Sequence, residues 1–189
     1  MKRCFDIVFA IVTLFVTSPI LLLLMIAIPI ESPGWPIFTQ MRVGRGGKMF
    51  RIYKLRSMHR GEMPLELSRD PARLREHNQD RVTRIGKLVR KSGIDEVPQM
   101  INVLVGDMSI VGPRPWPESQ VTPARYSPIR DDLRPGLTGL AVVSVLSGCR
   151  RELDKKIRID RIYAAKRCLL LDLKIIALTP LALIRCTNF

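Results

Sequence analysis

Between Asp6 and Glu31 the chain carries no charged residue. The run IVFAIVTLFVTSPILLLLMIAIPI, Ile7–Ile30, is 24 residues long, more than the roughly 20 that a helix needs to cross the hydrocarbon of a bilayer. It is longer than the apolar part of a secretory signal, and no small-residue cleavage site follows it, so a retained membrane segment is expected. Its shape is open. The spanning rule favours a straight transmembrane anchor. Against that, Ser18-Pro19 falls at the middle of the run, where proline removes a backbone donor and forces a kink or break. Both flanks are also basic, with Lys2 and Arg3 before the run and Arg42, Arg45, Lys48, Arg51, Lys54 and Arg56 after it. Positive charge marks the cytoplasmic side. A segment with basic residues at both ends can enter and leave by one face, as a re-entrant helix-break-helix spanning 1–31, with 32–189 as a cytoplasmic, membrane-associated domain.

The rest of the chain is strongly cationic. With 31 Lys and Arg against 17 Asp and Glu, the 189 residues carry a formal net charge of +14. That excess implies an anionic partner, which can be an anionic lipid surface, a phosphorylated substrate or nucleic acid. Nucleic acid lacks any recognisable motif here. The four cysteines are widely spaced with no C-x-x-C pair, which points to reduced thiols rather than a zinc site or disulfide framework.

After a turn-rich exit, Ser32-Pro33-Gly34-Trp35-Pro36, two strands are expected at Ile37–Val43 and Met49–Leu55, joined by a glycine-rich loop. Arg51, Lys54 and Arg56 follow on or just after the second strand. They form either a solvated basic edge that discourages aggregation or a contact to lipid or substrate phosphate. Gly61 to Asp80 reads as a surface loop, and Arg81 to Lys91 as a short basic helix.

Chemistry concentrates in SGIDEVPQMINVLVGDMSIVGPRP, Ser92–Pro115. Proline is tolerated in a helix only in its first turn, so Asp95 as N-cap and Pro98 at the third helical position is the comfortable register. Capping is the plain explanation of Asp95-Glu96. Adjacent carboxylates are equally what a magnesium ion needs to hold a diphosphate, and a carboxylate can itself attack phosphorus. Arg114 stands between two prolines in Gly112-Pro113-Arg114-Pro115, which stiffen it as a phosphate clamp or simply make a Pro-rich linker.

The segments Leu88–Gln99, Asn102-Val103-Leu104, Gly106–Ser109 and Val111–Pro115 closely resemble the small monotopic polyprenyl-phosphate phosphoglycosyl transferases, the bacterial sugar transferases that initiate lipid-linked glycan and exopolysaccharide assembly. So do Lys2-Arg3-x-Phe5-Asp6, Ser18-Pro19, Phe38–Gln40 with Arg42–Gly44, Tyr53–Met58, Arg134–Gly139 and Asp172–Ile176. The resemblance implies transfer of a sugar phosphate from a nucleotide diphosphate sugar, expected to be a UDP-sugar, to polyprenyl phosphate, expected to be undecaprenyl phosphate. The product would be a polyprenyl diphosphate sugar. It implies Asp95 as the nucleophile that forms an aspartyl-phosphosugar intermediate, and Asp95 with Glu96 as Mg²⁺ ligands. Arg90, Arg114, Lys54, Arg56 and Gln99 would contact substrate. It also implies the re-entrant form of Ile7–Ile30 and a place on the cytoplasmic face of the bacterial inner membrane. From Val142 to Arg151 the chain departs from the family's Gln-Val-Asn-Gly-Arg, a stretch expected to bear on nucleotide-sugar specificity.

Arg151 to Lys166 is expected to be a surface helix. Cys168 to Ile184 is apolar but interrupted by Asp172 and Lys174, with Pro180 expected to break it, which favours a membrane-surface or core helix over a second span. The fold class expected is therefore mixed α/β and helix-dominated, with a re-entrant membrane helix, a small β-hairpin and amphipathic interfacial helices. The alternative function is a non-enzymatic basic adaptor on anionic lipid or nucleic acid.

Overall fold

The computed structural model describes residues 1–61, 79–117, 132–147 and 153–186. The expected loop over Gly61–Asp80 therefore lies mostly outside the described residues, as does 148–152.

Helix α1, Lys2–Glu31, runs as one helix of 30 residues through both Pro19 and Pro29, about 45 Å if straight at 1.5 Å per residue. Among the described residues it is the one helix long and apolar enough to cross a membrane. No interruption appears at Ser18-Pro19. Pro19 has no N–H for the Phe15 carbonyl four residues back, but the Ser18 hydroxyl donates to that carbonyl at 2.8 Å. Thr17 likewise donates to the Thr13 carbonyl at 2.7 Å. The Ser18 hydroxyl thus supplies the partner that Pro19 withholds, which matters where water cannot.

Both ends of α1 are fastened to other elements of the chain. At its start, Asp6 is buried and accepts from the Ser109 hydroxyl at 2.8 Å and the Ile110 amide at 3.1 Å. Lys2 pairs with Asp172 at 2.6 Å, and the Arg3 guanidinium donates to the carbonyls of Val103 and Leu104. At its end, the Glu31 carboxylate accepts from the amides of Arg84 and Ile85. Just beyond, Arg56 donates to the carbonyls of Ser32, Pro33 and Gly34.

Strands β1 (Ile37–Val43) and β2 (Met49–Leu55) form the expected antiparallel hairpin, in register from Ile37 opposite Leu55 to Val43 opposite Met49. A short 3-10 turn, Arg45–Gly47, closes it. Helix α2 (Arg84–Ser92) begins later than the basic periodicity suggests, because Thr83 caps it by accepting from the Gly86 amide and Glu31 takes the next two free donors. A 3-10 segment, Ile94–Gln99, leads into α3 (Met100–Val105). Strands β3 (Ser109–Val111) and β5 (Gly136–Thr138) pair in parallel, while β4 (Trp116–Pro117) adds to the free edge of β1, giving the order β2-β1-β4.

The second half is helical: α4 (Leu140–Val143), a 3-10 turn at Ser144–Ser147, α5 (Leu153–Lys166) and α6 (Leu169–Cys186). Pro180 does not break α6, contrary to the sequence expectation. The helix on either side of it is held from outside: Ile175 and Ala182 are buried in the core, and Thr179 hydrogen-bonds Thr138 of β5 at 2.7 Å. Tertiary packing here outweighs the lost backbone bond. Within the stretch that departs from the family pattern, Val143 is buried and Val142 packs against the core, so that part is structural.

The core joins Phe50 and Ile52 of β2, Met100 and Val103 of α3, Met108, Ile110 and Val111 at β3, Tyr163, Ile175 and Ala182, together with Ala10 of α1. One face of α6 is thus inside. Its other face exposes Leu170, Leu173, Leu181 and Ile184, an apolar stripe at helical spacing. The architecture is mixed α/β and helix-dominated, with small sheets and a long apolar N-terminal helix.

Candidate active site

Gly93 sits at φ 73, in the left-handed region, ends α2 and hands the chain directly to Ile94–Gln99. Asp95 and Glu96 fall in the first turn of this segment. No side chain caps it, so Asp95 is not the N-cap that helix register suggested. Pro98 is inside the 3-10 turn rather than at the third position of a helix opened by Asp95. The cause is Gly93, whose turn leaves no extended residue between the two helices to act as a capping position. The Asp95 carboxylate is consequently left for other work.

Alternation along β2 decides which cation faces this pair. Phe50 and Ile52 point into the core and Lys54 is on the same side, two residues on, while Arg51 is exposed. Buried Asn102 fixes the register between β2 and α3, accepting from the Tyr53 amide at 3.3 Å and donating to the Arg51 carbonyl at 2.7 Å. Lys54 Nζ then lies 2.5 Å from Glu96 Oε1. The bland reading of the strand as a solvated basic edge holds for Arg51 and fails for Lys54.

Arg114 arrives from the other side. The turn that carries it is stacked on β5: the Gly112 amide donates to Thr138 and the Gly136 amide to the Pro113 carbonyl, at 2.9 and 2.8 Å. A Cβ on Gly136 would lie 2.1 Å from the Gly112 nitrogen, so only glycine allows this approach. Arg114 Nη2 is thereby placed 3.5 Å from Glu96 Oε1. Arg90, on α2, donates from Nε to the Ser57 hydroxyl at 2.8 Å.

Burial tends to raise the Glu96 carboxyl, but the charges and hydrogen bonds of Arg114 and Lys54 outweigh it and hold its pKa below the usual range. Asp95 goes the other way: burial, reinforced by the Glu96 charge, raises its pKa despite Lys54 and Arg90. One carboxylate is thus firmly ionised, and its neighbour is the more basic.

Two residues add unused donors. Arg42 gives one Nη to the Pro115 carbonyl at 3.2 Å and the other to Gln40 at 2.6 Å, while its buried Nε has no partner among the described residues. Buried Gln99 leaves Nε2 equally unpartnered there. Both line a void of about 10 Å³ with Lys54, Glu96 and Arg114, room for about one water at most.

The structure therefore gathers Lys54, Glu96, Gln99 and Arg114 around one point, with Asp95 and Arg90 coupled to it electrostatically. It does not bring Arg56 there, for that guanidinium is buried against the carbonyls of Ser32–Gly34. Arg42, Asn102 and Ser57 belong to the site or its support and were not assigned a role from sequence. Strand alternation could have flagged Arg42, which follows the β1 pattern opposite Phe50.

Among the described residues no group of three or more His, Cys, Asp and Glu could hold a metal. Magnesium, however, often takes only one or two protein carboxylates and completes its shell with water and substrate phosphate oxygens. Two adjacent carboxylates, one held ionised, fit that requirement.

Comparison with known proteins agrees with the geometry. A family model described as bacterial sugar transferase matches residues 1–186. The chain is 40% identical over 194 residues to a UDP-glucose:undecaprenyl-phosphate glucose-1-phosphate transferase of Caulobacter vibrioides, covering 99% of this chain and 71% of that one. It is 40% identical over 182 residues to a UDP-N-acetylgalactosamine-undecaprenyl-phosphate N-acetylgalactosaminephosphotransferase of Aeromonas hydrophila, covering 93% of this chain and 41% of the relative. An exopolysaccharide production protein of Rhizobium leguminosarum is 34% identical over 188 residues, with 93% and 91% covered. Some relatives are thus much longer than the stretch they share with this chain.

Proposed function

The chain belongs to the bacterial sugar transferase family, and from that premise we propose that it transfers a sugar phosphate from a UDP-sugar to undecaprenyl phosphate at the cytoplasmic face of the inner membrane. The observation that carries the reading is the uncapped Asp95-Glu96 pair ringed by Lys54, Arg114 and Arg90. Four relatives named for transfer of a sugar phosphate to undecaprenyl phosphate support the substrate class.

In this mechanism an Asp95 oxygen attacks the phosphorus that bears the sugar. The bond to the nucleoside monophosphate breaks, and that group leaves with the electron pair. The raised basicity of Asp95 makes its ionised form a better nucleophile. Lys54, Arg114 and Arg90, the last fixed by Ser57, neutralise charge on the phosphates. Polyprenyl phosphate then attacks the same phosphorus and displaces the Asp95 carboxylate, giving polyprenyl diphosphate sugar. Asp95 and Glu96 are the residues that would hold Mg²⁺, whose chemistry would be neutralisation of the diphosphate. The unpartnered donors of Gln99 and Arg42 suit a substrate oxygen or bridging water.

α1 is proposed to be re-entrant. Its two ends bind one domain, through Lys2, Arg3 and Asp6 at one and Glu31 at the other. A straight crossing would carry one of those ends to the far side of the bilayer. The exposed stripe of α6 would rest on the membrane surface.

The test is an assay of nucleoside monophosphate release from a panel of nucleotide diphosphate sugars, with and without polyprenyl phosphate. Release and lipid-linked product are expected from a UDP-sugar, with Mg²⁺, and neither from Asp95→Asn. A basic adaptor would show no release, bind anionic vesicles and be indifferent to Asp95→Asn; nothing in the site favours that reading.

A further inference from the structure

The last turns of α1 carry a concavity that catalysis by Asp95 does not use. Leu22, Met25, Ile26 and Pro29 repeat at i, i+3, i+4 and i+7, and form one wall of a groove of about 570 Å³. Gly34, Trp35 and Pro36 form the other wall. Trp35 is 65% exposed. The lining is apolar throughout, yet the rim is not: the Arg60 guanidinium lies over Gly34, where a Cβ would come within 2.7 Å of its Cζ. Arg56 is beneath the same loop, bonded to the carbonyls of Ser32, Pro33 and Gly34, with its buried Nε unpartnered among the described residues.

The groove and the active-site void share no lining residue, and the β1–β2 hairpin runs from one to the other. The Arg56 amide donates to the Pro36 carbonyl at 2.7 Å, and Phe38, two residues further, is opposite Lys54. The groove wall and Lys54 are thus two strand positions apart, roughly 7 Å at the usual rise. A molecule with a phosphate at Lys54 and Asp95 and a hydrocarbon tail that must leave towards the membrane segment meets this groove directly, past a guanidinium rim that suits its charged end.

We propose that the groove between Leu22–Pro29 and Trp35-Pro36 seats the isoprenoid chain of the polyprenyl phosphate acceptor. The inference rests on the proposed transferase activity. It commits to the acceptor tail rather than to bulk acyl chains, because the groove joins an apolar membrane face to the cationic hairpin end that leads to the reacting phosphate. Trp35 is a positioning residue for the acceptor and touches no reacting atom.

The experiment uses the full chain in nanodiscs of phosphatidylcholine, with a benzophenone-tagged isoprenoid phosphate. Labelling is expected within residues 22–36, suppressed by excess polyprenyl phosphate but not by excess phosphatidylglycerol. Labelling elsewhere, or competition by phosphatidylglycerol, overturns the proposal. A kinetic arm separates it from the activity itself. Trp35→Ala should raise KM for polyprenyl phosphate roughly tenfold, as partial loss of an aromatic contact does, and leave the acceptor-independent burst of nucleoside monophosphate unchanged. Trp35→Phe should restore most of the affinity. Leu23→Ala, 67% exposed on the same helix but outside the groove, should change nothing. An unchanged acceptor KM in Trp35→Ala, or an equal change in Leu23→Ala, contradicts the assignment. Absence of both the burst and any lipid-linked product from the wild type would instead reject the activity, and the labelling pattern would still decide whether the groove takes the isoprenoid.

Discussion

Two clusters of acids and bases hold this molecule's interest, and they differ in how completely their members satisfy one another. At the anchor of α1, Asp172 is almost wholly buried and takes both Lys2 at 2.6 Å and the Tyr163 hydroxyl at 2.6 Å. Asp6 accepts two hydrogen bonds from β3. Burial and Asp172 push the Tyr163 phenol's pKa well up, so it stays a donor. Around Asp95 and Glu96 the sums do not close: Lys54 and Arg114 share one Glu96 oxygen, Asp95 is the more basic carboxylate, and Gln99 and Arg42 keep donors without partners among the described residues. A saturated cluster fastens the fold. An unsaturated one has the free donors and the basic carboxylate that a ligand site requires.

The comparison breaks first at Asp95. Asp95→Asn should lower turnover by at least about a thousandfold, the scale of losing a covalent nucleophile. It should leave the protein folded. Because the native pKa of Asp95 is raised, the folded state binds its proton more tightly than the unfolded state, so ionised Asp95 detracts from stability once pH has risen through both pKa values. The melting temperature of Asp95→Asn near neutral pH is therefore expected to equal or exceed that of the wild type. A marked fall would mean that Asp95 is structural.

Lys2→Met tests the other cluster. It leaves the buried Asp172 carboxylate with the Tyr163 hydroxyl alone, at a cost of about 2 kcal/mol, below the scale for a fully buried pair because the Lys2 side chain is 39% exposed, read as a lowered thermal or denaturant midpoint. Turnover per folded molecule should be retained. Next in size, Arg114→Ala should reduce turnover about a hundredfold, in the range for one charge-stabilising contact, with little change in melting because its side chain is 57% exposed.

The smallest effect is on pH dependence. The acid limb of monophosphate release should fall as pH drops through the raised pKa of Asp95, above the ordinary aspartate value of 3.8. Glu96→Gln removes the anion that helps to raise it, and should move that limb to lower pH in whatever activity remains. A limb that stays in place would detach Glu96 from the basicity of Asp95.

Much of this was readable from sequence because it rests on local pattern. Alternation and the glycine loop placed both strands of the hairpin at their observed bounds, and the uncharged run marked α1. The failures came where partners distant in sequence decide. Glu31 shifts the start of α2 from fifty residues away. Packing of Ile175 and Ala182 carries α6 through Pro180. The exception is local: Gly93, just before Ile94-Asp95, removes the capping role from Asp95 by its left-handed turn, which proline spacing alone does not register. At the site, residue types announced the carboxylates and Arg114, but only tertiary contact separates Lys54, which faces Glu96, from Arg56, which clamps a loop.

The central claim is that Asp95 becomes covalently phosphorylated by the sugar donor. Intact-mass and peptide analysis of the protein, quenched after mixing with a UDP-sugar substrate in the absence of polyprenyl phosphate, addresses it most directly. A mass increase of one sugar phosphate on the peptide containing Asp95, discharged when polyprenyl phosphate is added and missing in Asp95→Asn, is the predicted result. Steady transfer to lipid with no adduct at any time, or an adduct on a different residue, would contradict it.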